Sequence, residues 1–308
     1  MNRTFDRSGG LRALALTIAL TCLATSAHAG DGTGYGNFPY GAQTTYAAIM
    51  PPAGTTSFFG YALLYKGDSI RDDDGKKIPG VDFELFALAP RLVHSWSQGW
   101  AGFKLSSGIV WEGVTVKVDA GPVEDSDRGA TLIGIEPLYL TRSFANNTFH
   151  FLTGPLIYIK AGSFDRNALA NSTLGHNSVA YQASTTWTPT PRWDFSLNAA
   201  AEWKRKNDEN DYRGGTSWGI TFGMGHRPFA DTRWDLGISG FYVDQFKDDQ
   251  IDGTDIPGSV RTSKFAIGPK FVYWISPAAG IVTQYHREMN VHSGGDGDLF
   301  WVECVFPI

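Results

Sequence analysis

The chain has 308 residues, 14% of them aromatic and 19% charged, with 36 glycines, two cysteines and a net charge of −5. A mean hydropathy below zero with a single apolar run excludes a polytopic helical membrane protein, which needs stretches of about 20 apolar residues. Two cysteines exclude a disulfide framework or a cysteine-rich metal site, and no basic stripe suited to nucleic acid is present.

Arg3, Arg7 and Arg12 precede the apolar run 14–27, which ends in Ala27-His28-Ala29. A basic start, a short apolar centre and a small-x-small site make a secretory signal, with cleavage expected between Ala29 and Gly30. Loss of residues 1–29 removes three arginines and one aspartate and leaves Cys304 as the only cysteine. Cys22 lies inside the apolar run, which disfavours a lipoprotein.

Beyond residue 54 a period of two takes over. Candidate strands lie at 55–67, 81–94, 100–117, 130–142, 148–161, 176–188, 193–206, 215–227, 232–247, 260–275, 279–291 and 297–306. The pattern is plainest at 193–204, where Trp193, Phe195, Leu197, Ala199, Ala201 and Trp203 alternate with Asp194, Ser196, Asn198, Ala200, Glu202 and Lys204. Such alternation gives one apolar and one polar face. Leu197 is expected to face lipid and Asn198 the interior. Strands of this length exceed the usual ~5–6 residues and suit a tilted strand crossing a bilayer, which needs about 9–11.

The connections alternate as well. Those at 95–99, 143–147, 189–192, 228–231 and 276–278 are short. Those at 68–80, 119–129, 162–175, 207–214, 248–259 and 292–296 are mostly longer and rich in Gly and Asp. Outer-membrane barrels have tight periplasmic turns, longer outer loops, an even strand number and both termini inside. Trp96, Trp100, Trp187, Trp193, Trp234 and Trp274 flank the short turns and read as one interfacial girdle. The expected fold is all-β, a transmembrane antiparallel β-barrel of about 12 strands spanning 54–308. A soluble sandwich would leave large apolar patches in water. The expected location is the outer membrane of a Gram-negative bacterium, among outer-membrane lipids and lipopolysaccharide. The last strand carries Phe300, Val302, Cys304 and Phe306 on one face, the kind of end that barrel-assembly machinery recognises, here displaced by Pro307-Ile308.

Several stretches then bear a resemblance: "AAIMPPAGTTSFFGYALLY" from residue 47, "KAGSFDRN", "GISGFYVDQFKDDQ", "FAIGPKFVYW" and "GDLFWVECVF". The most distinctive pieces are Gly240-Phe241-Tyr242 with Gln245 and Asp248, and Ile267-Gly268-Pro269 with Tyr273. On these the chain resembles the outer-membrane family named for the meta-pathway of phenol degradation, departing from it at Lys160-Ala161-Gly162. The resemblance implies an exported barrel that passes small hydrophobic or aromatic compounds.

If the apolar faces meet lipid, the interior receives Glu84, Lys104, Glu112, Glu136, Arg142, His150, Lys160, Glu202, Lys204, Asp235, Lys264, Lys270, His286, Glu288 and Glu303, since charges on the lipid face cost about 2–4 kcal/mol near the midplane. Two readings stay open, a polar pore and a core filled by ion pairs. Residues 30–53 hold Tyr35, Phe38, Tyr40 and Tyr46 among glycines. They form either a lumen plug or a periplasmic tail. Solute contacts are expected at Tyr35, Tyr40, Tyr46, Tyr158 and Phe241, whose rings stack on aromatics at about 0.5–1.5 kcal/mol each. The acidic clusters at 72–74, 124–127, 208–211 and 248–252 read as solvated loops or bridges to lipopolysaccharide through divalent ions, and the first fails EF-hand spacing because Ile70 sits where a first Asp should be. No cofactor motif is visible. Rival classes are a structural barrel without transport and a membrane-embedded lipid-modifying enzyme, for which His176 near Ser178 is the only close Ser–His pair at a loop edge.

Overall fold

The computed structural model describes residues 36–256 and 261–308. Tyr35 and the expected cleavage point between Ala29 and Gly30 lie outside them. The alternating segments form twelve long strands: β1 (Thr56–Arg71), β2 (Asp82–Trp100), β3 (Phe103–Ala120), β4 (Val123–Phe144), β5 (Phe149–Lys160), β6 (Ser178–Thr190), β7 (Trp193–Lys204), β8 (Ser217–His226), β9 (Trp234–Gln245), β10 (Ser263–Ser276), β11 (Ala279–His292) and β12 (Gly294–Pro307). Each pairs antiparallel with its sequence neighbours, and β12 returns to β1 from Ser57↔Pro307 to Arg71↔Gly294. Closure leaves no sheet edge, so every strand finds backbone partners on both sides, the condition for crossing hydrocarbon. Leu88, Ile109, Leu197 and Phe271 are exposed on the outer wall, while Asp194, Glu202, Lys264 and Lys270 are fully buried inside. That inversion of an ordinary soluble protein is an outer-membrane barrel.

Three turns differ from the sequence expectation. The strand β2 runs through 95–99, and the chain reverses at Ala101-Gly102, both in the left-handed region. Residues 119–129 are a ladder rather than a loop. The residues Asp119 and Glu124 face each other across a two-residue turn at 121–122, and pairing continues to Gly113↔Ala130. Val114, Val116 and Val118 supply the β-branched residues that extend the pattern beyond the neighbouring strands. At the last connection only Ser293 separates β11 from β12, yet their mutual ladder ends at Arg287↔Asp298 and the strands part towards β10 and β1. Glu288 stands in that fork and accepts hydrogen bonds from the Tyr65 hydroxyl (2.7 Å) and the Gly297 amide (2.8 Å).

The projecting β3–β4 hairpin carries the loop 161–177. The carboxylate of Asp125 accepts the amides of Leu169 and Ala170, and that of Asp127 accepts the amide of Ser172. Donation from Ala170 to Asp125, and from Ser172 to Asp127, holds both carboxyls below their ordinary range. A carboxyl depressed in the folded state stabilises above its unfolded pKa and loses that contribution as pH falls through the folded value. Amide exchange protection at Ala170 and Ser172, corrected for intrinsic rates, is therefore expected to hold from about pH 8 to 5 and to fall below about pH 4. Constant protection down to about pH 2 would show that the carboxylates do not fasten this loop. Other acidic clusters are likewise engaged locally, as in Asp74–Lys76 (2.8 Å) and Asp248–Arg261 (2.8 Å), and no group of three metal-ligating side chains occurs among the described residues.

Candidate functional site

Inside the barrel, residues 36–50 run along the wall made by β6 to β11. The polar faces of these strands meet the segment's backbone in order. The Asn37 amide donates to Glu202 Oε1 (3.1 Å), the Gly41 amide to Thr221 (2.9 Å), the Ala47 amide to Ser196 (3.4 Å) and the Ala48 amide to Thr186 (3.1 Å). Gln284 acts as a hub: it accepts from the hydroxyls of Thr44 (2.6 Å) and Ser239 (2.9 Å) and donates to the Gly41 carbonyl and to Glu303. The direction is therefore from the long-loop end at Ser178 and Glu202 to the short-turn end at Thr186 and Ser196.

The segment fits because β8 is stripped on its inner face. A Cβ on Gly219 would stand 2.4 Å from the Tyr40 ring, and one on Gly223 would stand 2.0 Å from the Thr44 carbonyl oxygen. Gly223→Val keeps good strand propensity but places two methyl groups where Thr44 lies, an overpacking cost of about 1–3 kcal/mol. The expected result is a folded barrel whose segment 36–50 becomes cleavable by added protease while the wild type resists. Equal resistance would mean that the groove yields instead.

The expected interior residues divide as follows. Tyr40 and Phe38 are buried with ring centroids 4.8 Å apart, and Phe241 is fully buried 5.9 Å from the His286 ring. His286 meets the Ser239 hydroxyl at 2.8 Å. Tyr158 is buried against the β4 wall at Gly134. Glu202 accepts the Ser178 hydroxyl (2.5 Å), and Lys204 lies buried beside it below Gly36 and Gly214. Lys264 pairs with Glu288 (3.3 Å) and donates to the Gly295 carbonyl. Lys270 lies 3.8 Å from Asp194. His150 contacts Ser143 (2.9 Å) at the short-turn rim, whereas Lys160 is half-buried at the opposite rim. Glu136 is paired with Arg91.

Three placements are corrected. Arg142 faces outward, its guanidinium over the rings of Phe103 and Phe144 at 5.7 and 5.2 Å. The register between β4 and β5 shifts between Ile135 and Leu140, so the inward phase passes from Glu136 to Tyr139 and Thr141. A β-bulge adds a residue to one strand and inverts everything beyond it. Glu84 also lies outside, bridged to Lys66 at 2.7 Å and paired with Lys117 across the ladder. Near the rim an external charge is cheap, about 0–1 kcal/mol. Trp274 is not a girdle residue: it stays in phase with Lys270 and Val272 and stacks on Tyr46 within the lumen, centroids 5.2 Å apart.

Asp194 lies inside, as the polar face of 193–204 implies, and Arg91, Gln182 and Gln284 belong to the same interior but escaped the sequence reading. Phase alone would have found them, since Gln182, for example, alternates in step with Ser178. As for the Ser–His pair, the Ser178 hydroxyl is taken by Glu202 and Asn37 (2.9 Å), an arrangement that fastens the lumen segment.

A closed barrel of twelve strands with an apolar exterior and a polar interior defines an outer-membrane barrel. The chain belongs to the family described as "Putative MetA-pathway of phenol degradation", whose pattern matches residues 67–303. Its fold is similar to that of the COG4313 outer membrane channel from Pseudomonas putida F1, with a TM-score of 0.75 at 16% identity over 85% of this chain and 98% of that one. The β domain of the Bordetella autotransporter BrkA is similar at a TM-score of 0.53 and 10% identity, over 82% of this chain and all (100%) of that one. No curated relative matches the chain.

Proposed function

We propose that this outer-membrane barrel is a channel that carries small, fairly apolar, mainly aromatic solutes down their gradient, with residues 36–50 as a removable occupant of the path. The observation that carries this reading is the chemistry of that segment's attachment. It is held by single hydrogen bonds to polar wall side chains and by the stacking of Tyr46 on Trp274, not by a strand ladder. An aromatic solute with a polar group offers the same contacts, each weak enough to exchange. The family's name supports the same solute class.

Long loops face outward in this scheme and short turns face the periplasm. Asp74→Cys is expected to react with an impermeant thiol reagent on intact cells and Thr190→Cys only after lysis. Asp74 is used because its neighbour Gly75 has φ +76, which a cysteine rarely adopts. The reverse labelling pattern would invert the orientation.

Uptake of labelled phenols and aromatic hydrocarbons by cells with and without the protein tests the function. Uptake is expected to fall without the protein and to rise when residues 36–50 are deleted. A barrel without transport is the second reading, favoured by the buried pairs Arg91–Glu136 and Lys264–Glu288. Unchanged uptake together with weakened membrane integrity would establish that reading instead.

A further inference from the structure

At the short-turn end of the lumen the side chain of Tyr46 occupies a seat built from wall residues. Its ring stacks on Trp274, centroids 5.2 Å apart and planes at 24°. The Arg227 guanidinium lies 5.8 Å from the ring centroid and donates a hydrogen bond to the ring hydroxyl. Arg227 is in turn held by Asp235 (3.2 Å) and Asp194 (3.7 Å), both fully buried. A Cβ on Gly225 would fall 2.3 Å from the Asp235 carboxylate and 2.5 Å from that of Asp194, so the wall is kept bare to admit both.

Two further facts bear on what this seat selects. Tyr46 has φ +50, a conformation that a bulky residue rarely adopts and that persists only where its surroundings impose it. The contacts that fix the side chain are an aromatic face and a donor to the hydroxyl, which are the features of a phenol and do not require the peptide. Charge settles the subclass. Asp194 and Asp235 are matched by Arg227 and by Lys270, 3.8 Å from Asp194, so no cation is left over for an aromatic carboxylate.

We propose that the seat formed by Trp274, Arg227, Asp194 and Asp235 is a binding site for neutral monocyclic phenols, filled here by the chain's own Tyr46. The inference deepens the transport reading and rests on it for its biological meaning, while the site itself is tested by equilibrium binding. Displacement of Tyr46 would expose a ring-sized gap whose hydroxyl partner is already oriented, so a free phenol inherits the contacts of the side chain it replaces.

The full-length protein carrying Tyr46→Ala, in detergent micelles, is titrated with 4-methylphenol, toluene and benzoate. The expected result is that 4-methylphenol binds this variant at least about tenfold more tightly than the wild type and about tenfold more tightly than toluene, the factor for one hydrogen bond to a charged donor. Benzoate should bind no better than toluene, and adding Trp274→Leu should weaken 4-methylphenol several-fold. Equal binding of 4-methylphenol and toluene, or of wild type and variant, overturns the proposal.

Should Tyr46→Ala not fold, a Cys304→Ser protein carrying Gln43→Cys gives a second readout. There 4-methylphenol, but not benzoate, is expected to speed maleimide labelling of position 43 by dislodging the segment. No change in rate overturns the proposal. Phenol uptake that needs the protein while the seat binds nothing sinks the seat alone. A seat that binds while uptake ignores the protein sinks the transport reading alone.

Discussion

Arg91→Met is expected to destabilise the barrel by about 3–5 kcal/mol, the cost of stranding a buried carboxylate. Arg91 and Glu136 point into the lumen from β2 and β4, with side chains 6% and 3% exposed. The nitrogens Nε and Nη2 lie 2.8 and 2.9 Å from the two carboxylate oxygens, while Nη1 donates to the Tyr61 hydroxyl and the guanidinium lies 5.1 Å from the Phe59 ring centroid. Removing the arginine leaves Glu136 among Tyr61, Tyr139 and the bare backbone at Gly108, with no second cation paired to it among the described residues. The double variant Arg91→Met/Glu136→Leu should recover most of the loss, because replacing both ions with apolar groups is often neutral. Urea unfolding in micelles measures both. A single variant as stable as the wild type would mean that water, not the ion pair, solvates Glu136.

A second large effect is expected on the outer wall. Leu197 lies near the middle of β7, 44% exposed and outward, beside Phe222 on the neighbouring strand. Leu197→Arg should cost about 2–4 kcal/mol in a bilayer, whereas Val179→Arg, outward but at the strand's long-loop end, should cost about 0–1. The difference is one of depth alone, since both positions face away from the lumen. Equal costs for the two variants would remove the hydrocarbon belt from this face. Asn198 makes a poor control, because its side chain is buried between Gln43 and Gln182 and an arginine there would strike the lumen segment.

Most of the barrel could be read from period two, and the misreadings have local causes. At 193–204 and 217–225 the phase is unbroken, and the inside and outside faces follow residue by residue. Arg142 failed because one extra residue in the stretch Pro137-Leu138 breaks the phase. Proline lacks the ladder donor, so an unpaired bulge position suits Pro137. Residues 95–99 read as a turn because Ser and Gly are turn formers, although the tighter left-handed pair Ala101-Gly102 follows after Trp100. Trp274 was assigned by its type, when its phase with Lys270 already placed it inside. The contacts of residues 36–50 were not legible at all: they pair a non-periodic segment with glycines over 100 residues away, and glycine leaves no pattern in hydropathy.

The connection between that segment and the wall has a quantitative consequence. The peptide from Pro51 to Thr55 joins it to β1, and Gly54 donates to the Ser95 carbonyl (2.7 Å), so the occupant cannot diffuse away from its own site. A short tether confers an effective concentration of order millimolar. A free molecule of equal intrinsic affinity displaces half the tethered one only when it reaches a similar level. The barrel would then remain shut to traces and admit solute once it accumulates outside, a threshold set by linker length rather than by any change in the wall.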